Sequence, residues 1–129
     1  MTKKSTTSET LLFVYGSLMR GMRAHQLLKE SRFIDRVVTA RRYKLLVYDN
    51  YPGLVAGDLS IEGELVAVSD DCLAQLDEYE GVPNEYIRMP LELSDQPTSL
   101  KCEAYFLHPD LIDDAVLYRA NRWKENSSI

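Results

Sequence analysis

The stretch Leu-Leu-Phe-Val-Tyr-Gly-Ser-Leu, residues 11–18, decides the fold of this 129-residue chain. Its first five residues are apolar β-formers and Gly16 follows them, which predicts a short strand that is buried on both faces and ends in a turn. Such a turn can direct successive backbone N–H groups toward a cavity and form an anion-binding nest without a basic side chain. A plain strand-ending turn is the more common case, so the nest needs support from elsewhere in the chain.

Working outward from this strand, the hydrophobic pattern predicts a fold dominated by sheet. Alternating or continuous apolar residues predict further strands at 33–40, 43–48, 62–68, 87–93 and 100–106. The turn formers of Asp49–Gly53 predict a chain reversal, and helical segments are expected at 24–30 and 110–123. Few helices separate the strands, so antiparallel pairing is favoured. The expected fold is an α+β domain built on a small mixed, mostly antiparallel β-barrel with peripheral helices.

The segment Asp70–Glu80 is predicted to form a short amphipathic helix with its N-cap at Ser69 or Asp70. On a helical wheel Leu73, Leu76 and Glu80 share one face, while Glu78 points the opposite way. A buried carboxylate costs several kcal/mol unless it is paired, hydrogen-bonded or protonated. Two interpretations follow: Glu80 is a functional group, or it ends the helix and reaches water or a structural hydrogen bond.

The residues after this helix could complete a site. A turn at Gly81–Asn84 leads into a predicted strand on which Tyr86 and Arg88 share a face, so a carboxylate, a phenol and a guanidinium could meet at one opening. The alternative is an exposed strand face with the cation over the ring. A direct contact between Arg88 and Glu80 would lower the pKa of the carboxyl group and make it a poorer base.

Composition and spacing exclude several classes of function. A net charge of −5 with scattered basic residues argues against a nucleic-acid partner. The two cysteines and two histidines show no metal-ligand spacing, and no serine or cysteine is paired with a histidine in a known nucleophile motif, so neither a metal nor a catalytic histidine is expected. Ser17 lacks an evident activating base and is expected to contribute hydrogen bonds.

The chain is expected to form one domain, residues 11–129, after a disordered N-terminal tail at residues 1–10. The apolar run that follows the tail is too short for a signal h-region or a membrane span, so a cytoplasmic location away from membranes is expected.

Two motifs in this order resemble the γ-glutamylcyclotransferase-like family, in particular its small bacterial members and the γ-glutamylamine cyclotransferases. The first motif is Phe13–Leu18, and the second is Leu76–Gly81 continued through Tyr86 and Arg88. The likeness covers residues 11–108. Further agreement comes from His25, Tyr51-Pro52-Gly53 and Glu62-Gly63-Glu64-Leu65.

The resemblance implies a cavity between the first motif and the end of the Glu80 helix. It implies that the loop binds a γ-glutamyl group, that Glu80 is the general acid/base, that Tyr86 lines the pocket, and that Arg88 lies outside the catalytic set. The residues expected to bind the substrate are Tyr15, Gly16, Ser17, Leu18 and Tyr86.

The implied reaction is an intramolecular cyclisation of a γ-glutamyl amide that releases 5-oxoproline and a free amine, with a small molecule as the partner and no cofactor or metal. A non-catalytic module that binds a small ligand is the alternative, and a purely structural protein is a third. The segments 19–23 and 95–99 are expected to vary the pocket walls and thereby select the leaving amine.

Overall fold

The apolar stretch that starts the fold forms the central strand β1 (Glu9–Val14), in which Leu12 and Phe13 are fully buried. The computed structural model of the chain describes residues 9–20, 22, 24–28, 30–94 and 101–124. One α-helix, α1 (Asp70–Tyr79), and two 3₁₀ turns (His25–Leu28 and Pro109–Asp114) accompany the sheet in these ranges. The other strands are β2 (Arg32–Val38), β3 (Tyr43–Tyr48), β4 (Tyr51–Ala56), β5 (Glu62–Ser69), β6 (Tyr86–Leu91), β7 (Cys102–Leu107) and β8 (Val116–Tyr118).

The strands form one mixed sheet that curls into a small barrel. The strand order is β2-β5-β1-β7-β4-β3-β8, and β6 pairs with β7 along its whole length. The opposite edge of β7 is therefore shared by β1 and β4, the two parallel pairings, while the remaining pairs are antiparallel. Hydrogen bonds from Ala40 N to Glu92 O and from Ser94 N to Val38 O, both 3.0 Å, connect the end of β2 to the end of β6. The predicted α+β, mostly antiparallel barrel is confirmed.

The predicted amphipathic helix is also confirmed, and it ends where the site begins. Ser69 caps it by accepting a hydrogen bond from the N–H of Cys72, and the two aspartates of its first turn complement the helix dipole. Leu73 and Leu76 are buried against the sheet. Glu80 follows as the C-cap, four residues after the buried Leu76. None of the helices in the described part of the chain is long and apolar enough to span a bilayer.

Two boundaries at the ends of the chain differ from expectation. The sheet begins two residues before the predicted start, because Glu9 and Thr10 pair with Ser69 and Val68; residues 1–8 lie outside the described residues.

The predicted helix at 110–123 is wrong. A 3₁₀ turn ends at Asp114, Ala115 is extended, and Val116–Tyr118 pair with β3. Consecutive aspartates at a helix C-terminus oppose the dipole, and Val116 favours a strand, so the helix does not continue.

The reversal predicted at Asp49–Gly53 occupies only its first two residues. Asp49 and Asn50 both have positive φ (51° and 69°), the conformation of a two-residue hairpin loop that asparagine and aspartate tolerate. Tyr51, Pro52 and Gly53 instead begin β4, and Pro52 pairs with Val47 of β3. This tight hairpin brings Tyr51 and Pro52 to the end of β1.

Candidate active site

A cavity of about 260 Å³ opens where the loop after β1, the start of β4, the end of α1 and the start of β6 meet. The structure brings all six residues of the predicted site to its wall; their roles in binding and catalysis remain predictions. These residues are Tyr15, Gly16, Ser17, Leu18, Glu80 and Tyr86.

The loop after β1 is held in shape by hydrogen bonds of its backbone. Met19 N donates to Gly16 O (3.0 Å), Ala24 N donates to Ser17 O (2.9 Å), and the Nδ1–H of His25 donates to Leu18 O (3.0 Å). These bonds occupy carbonyl groups. The N–H groups of Ser17 and Leu18 donate to no acceptor among the described residues. Both residues line the cavity, so the loop has two donors without described acceptors at the cavity wall, which the nest interpretation requires.

Gly16 is required by the close approach of β4. A Cβ atom at this position would lie 2.6 Å from Cγ of Pro52, well inside van der Waals contact. Pro52 in turn accepts a hydrogen bond at its carbonyl from the Tyr86 hydroxyl (2.7 Å). The loop, β4 and β6 are thus packed together at this wall of the cavity.

Two buried tyrosines build the floor of the cavity. The hydroxyl of Tyr15 donates to Tyr105 O (2.6 Å) and accepts from Leu54 N (3.1 Å), so it connects β7 and β4. Burial raises the pKa of Tyr15 and of Tyr86 well above the ordinary value, and the nearby Glu80 raises it further. Both phenols are therefore neutral hydrogen-bonding groups near pH 7.

Glu80 differs from these neighbours because its carboxylate has no hydrogen bond or ion pair with any described residue. It is half-buried, and its own N–H is bound to Leu76 O at 2.9 Å as in a continuing helix. Burial raises the pKa of Glu80 to about 7, with smaller contributions from the charges of Glu85 and Asp77. Glu80 ends the helix, as the alternative interpretation supposed, but its carboxylate accepts no structural hydrogen bond from the described residues, and the side chain lines the cavity.

Arg88 lies elsewhere: it is not part of the described lining of the cavity, so the possible meeting of its guanidinium with Glu80 and Tyr86 at one opening is not found. Its guanidinium binds Asp77 through Nε (2.9 Å) and Nη2 (3.0 Å), and Glu103 through Nη1 (2.6 Å). The Tyr105 hydroxyl also donates to Asp77, at 2.6 Å. We call these residues, Asp77, Arg88, Glu103 and Tyr105, the Asp77 cluster; it joins the last turn of α1 to β6 and β7.

Seven lining residues lie outside the predicted set, and four of them, Tyr51, Tyr79, Glu85 and Tyr105, carry polar side chains. Tyr105 is 2% exposed on a strand whose alternation placed it outside, because β7 is buried on both faces. Tyr51 and Tyr79 are 40% and 43% exposed and, with exposed Glu85, form the mouth of the cavity. Tyr79 also shares a hydrogen bond with Ser17 Oγ (3.2 Å), which links α1 to the loop. Tyr79 and Tyr51 gave a sequence signal, because they lie in the second motif and in Tyr51-Pro52-Gly53.

The described ranges contain no group of three or more His, Cys, Asp or Glu side chains that could hold a metal ion. Both cysteines are free, and burial raises the pKa of the Cys102 thiol to about 11.

A curled mixed barrel with a cavity that holds a half-buried carboxylate, unpartnered among the described residues, is typical of an enzyme that acts on a small molecule. The family model described as γ-glutamyl cyclotransferase, AIG2-like, matches residues 12–125, and the chain belongs to this family. It is an enzyme of the γ-glutamyl cyclotransferase type.

Curated relatives carry names of the same kind. A protein of Vibrio cholerae named "Putative gamma-glutamylcyclotransferase" is 43% identical over 82 residues, covering 64% of this chain and 71% of that protein. The γ-glutamylaminecyclotransferase of Homo sapiens is 31% identical over 120 residues, covering 74% and 76%. The γ-L-glutamyl-butirosin B γ-glutamyl cyclotransferase of Niallia circulans is 33% identical over 69 residues, covering 54% and 44%.

Solved structures show the same fold. The AIG2-like protein of Mus musculus superimposes with a TM-score of 0.76 at 22% identity, covering 91% of this chain and 89% of that one. Allophanate hydrolase of Kluyveromyces lactis gives a TM-score of 0.76 at 18% identity, covering 95% of this chain but 21% of that one. The fold thus also occurs as one part of a larger chain.

Proposed function

We propose that this enzyme cyclises a γ-glutamyl amide, releases 5-oxoproline and a free amine, and uses Glu80 as its general acid/base. The observation that carries the proposal is the Glu80 carboxylate, which lines the cavity, has no partner among the described residues and has a pKa raised to about 7 by burial. Catalytic acids and bases work best when their pKa lies near the working pH.

The substrate supplies its own nucleophile. The α-amine of a γ-glutamyl group attacks the γ-carbonyl carbon and forms a five-membered ring; the bond between that carbon and the amide nitrogen then breaks. No water is consumed, and no electron is transferred. Because both reacting groups belong to one molecule, the enzyme gains rate by holding the folded conformer, for which effective molarities are high.

Glu80 would move the protons between the two nitrogens. The carboxylate takes a proton from the α-ammonium, which frees the lone pair for attack, and the resulting carboxylic acid gives this proton to the departing nitrogen, which leaves as an amine. The ring nitrogen then loses its second proton through the same carboxylate to the released amine, so the products are a neutral lactam nitrogen and an alkylammonium ion. A group with a pKa of about 7 is populated in both forms near neutral pH, so neither half of the transfer is strongly unfavourable.

The loop and the tyrosines would hold the substrate for this step. The N–H groups of Ser17 and Leu18 are suited to a negatively charged oxygen, either the α-carboxylate or the developing oxyanion. The hydroxyls of Tyr15 and Tyr86 already donate to Tyr105 O and Pro52 O. Their buried rings would pack against the glutamyl carbons and keep water out.

The test is release of 5-oxoproline from γ-glutamyl amines and γ-glutamyl amino acids by the purified chain and by Glu80→Gln. The isostere keeps the shape and removes the proton transfer. We expect kcat to fall by about 10²- to 10⁴-fold. Glu78→Gln is the matched control, since Glu78 is exposed on the same helix and is not part of the cavity wall.

Calorimetric titration with the same compounds separates catalysis from binding. Binding of a γ-glutamyl amide without turnover by the wild-type chain would favour the ligand-binding alternative. Turnover that is equal in Glu80→Gln and wild type would remove Glu80 from the mechanism while leaving the cyclotransferase reaction in place.

A further inference from the structure

The cavity is closed at one end and open at the other. Tyr105 and Tyr86 at the inner end are 2% and 8% exposed, whereas Tyr51 and Tyr79 at the mouth are 40% and 43% exposed. At about 260 Å³ the cavity lies below the usual range for ligand pockets, so it fits a group the size of a γ-glutamyl moiety and little more. Anything attached to the γ-amide nitrogen must therefore leave through the mouth and contact the residues there.

The mouth is negatively charged and aromatic. Its three exposed residues are Glu85, Tyr51 and Tyr79, and no lysine, arginine or histidine belongs to the described lining of the cavity. Carboxylates and the faces of aromatic rings are the two kinds of group that attract an ammonium ion. Both repel or fail to bind a carboxylate.

Glu85 is held in this position by its backbone on both sides. Its N–H donates to Gly81 O (2.9 Å), and its carbonyl accepts from His108 N (2.8 Å). Gly81 has a φ of 69°, and its missing side chain leaves the space that the Glu85 carboxylate occupies, since a Cβ there would lie 2.5 Å from Oε1. The charge of Glu85 is therefore placed beside the end of α1, next to Glu80.

We propose that Glu85 determines substrate specificity and makes the enzyme prefer γ-glutamyl amides whose leaving amine carries an additional ammonium group. The inference rests on the proposed function, because it assigns the leaving group of that reaction. The chemical class is that of diamines, polyamines and other polycationic amines. A leaving group that carries a carboxylate, as an amino acid does, meets like charge at Glu85.

The experiment compares three substrates whose leaving amines contain five carbon atoms each and differ at the outer end. They are the mono-γ-glutamyl amides of 1,5-diaminopentane, of pentylamine and of 5-aminopentanoic acid, whose outer ends are cationic, neutral and anionic. We expect kcat/KM to fall in that order, with about a tenfold difference between the first and the last at low salt. Added salt should narrow the difference because the mouth is exposed to solvent.

Glu85→Gln should reduce the ratio of kcat/KM for the cationic substrate to kcat/KM for the anionic substrate to about twofold. Glu85→Lys should reverse the order of the three kcat/KM values. The ratio within one variant is the readout, because a general effect on catalysis or folding cancels in it. Glu78→Gln, a change of the same charge on the exposed face of α1, should keep the wild-type ratio.

Equal kcat/KM for the three substrates, or a ratio that Glu85→Gln leaves unchanged, would overturn the specificity assignment and leave the cyclotransferase reaction standing. Absence of 5-oxoproline from all three would overturn the proposed function together with this inference. Circular dichroism of each variant identifies a loss of fold, and the wild-type order and its salt dependence test the inference without any variant.

Discussion

Asp77 and Glu80 are carboxylates one helical turn apart at the end of α1, and they have opposite surroundings. Burial raises the pKa of Asp77, but hydrogen bonds from Arg88 and Tyr105 outweigh it, and the pKa lies below its ordinary value. Glu80 is desolvated without any such compensation in the described structure, and its pKa rises to about 7. The same chemical group is thus a fixed structural anion at one position and a titratable acid at the next turn.

The surroundings of Asp77 explain how the molecule holds the unpaired carboxylate of Glu80 in place. The Asp77 cluster fixes the last turn of α1 to β6 and β7. Glu80 is positioned by the backbone of that turn, and its carboxylate has no partner among the residues that the structure describes. A partner for Glu80 would stabilise the charged form and make the group a poorer base.

The largest destabilisation is expected from Arg88→Met, which removes the guanidinium that stabilises the Asp77 carboxylate. It leaves Asp77 and Glu103 without their cation, and breaking a buried ion pair costs about 3–5 kcal/mol. The three side chains are 27% to 35% exposed, so we expect a destabilisation of about 2 kcal/mol, measured by urea unfolding. Loss of activity beyond the unfolded fraction would show that the cluster also positions Glu80; a variant as stable as wild type would contradict the structural role.

Glu80→Gln should have the opposite effect on stability. The pKa of Glu80 is about 7 in the folded chain and ordinarily 4.5, so the folded state binds the proton more tightly and wild-type stability falls as the pH rises from 4.5 to 7. The difference between the two pKa values corresponds to about 3 kcal/mol. Because the half-buried carboxylate keeps some contact with water, Glu80→Gln, which removes this loss, should be more stable than wild type at pH 8 by about 2 kcal/mol, with little difference at pH 4.

Asp77→Asn provides the internal comparison for that measurement. The pKa of Asp77 is lowered on folding. The contribution of its carboxylate to stability is therefore present above the ordinary pKa of aspartate and is lost as the pH falls through the pKa of the folded state. It should therefore destabilise the chain at pH 8. Two variants that shift stability in the same direction at pH 8 would contradict the contrast between the carboxylates.

The pH dependence of catalysis tests the raised pKa of Glu80. Only the ionised carboxylate can take the proton from the substrate, so kcat/KM should rise with pH and level off above about 7. Glu85→Gln should move this inflection to lower pH, because the charge of Glu85 contributes to raising the pKa of Glu80. An inflection near 4.5 in the wild-type chain would show that Glu80 is solvated like an ordinary glutamate.

The smallest effect is expected from Tyr79→Phe. The change removes the 3.2 Å hydrogen bond to Ser17 Oγ between α1 and the loop, and Tyr79 is 43% exposed, so water can replace it. We expect KM to rise about two- to threefold with kcat retained. Ser17→Ala should give the same change, and the double variant no more than either one, if the hydrogen bond is the cause.

Much of this site could be predicted from local sequence. A helix cap, two buried leucines and a carboxylate on their face are all fixed by spacings within one helix, and the strand and glycine of residues 11–16 are equally local. The mouth could not be predicted. Tyr51 is placed at the mouth by a hairpin whose two loop residues both adopt positive φ. Because all five residues at 49–53 are typical of turns, the sequence did not show that the loop contains only the first two.

Arg88 shows a second limit of the sequence pattern. The alternation of β6 places Arg88 and Tyr86 on the same face of the strand. The acceptors of the Arg88 guanidinium, Asp77 and Glu103, lie on α1 and β7. A pairing between three elements is decided by their packing, which no spacing in the sequence records. The segment 95–99, expected to vary the pocket wall, lies outside the described residues, as do residues 21 and 23 of the other such segment.

The position of β7 has a consequence for the motions of the enzyme. β7 pairs with β1, β4 and β6, and each of these strands carries or leads into a wall of the cavity, as β7 itself does through Tyr105. Separation of β7 from its neighbours would take apart the hydrophobic core and the cavity in one event. Amide hydrogens of β7 should therefore exchange through the same opening that abolishes substrate binding, so the cavity and the core form a single cooperative unit.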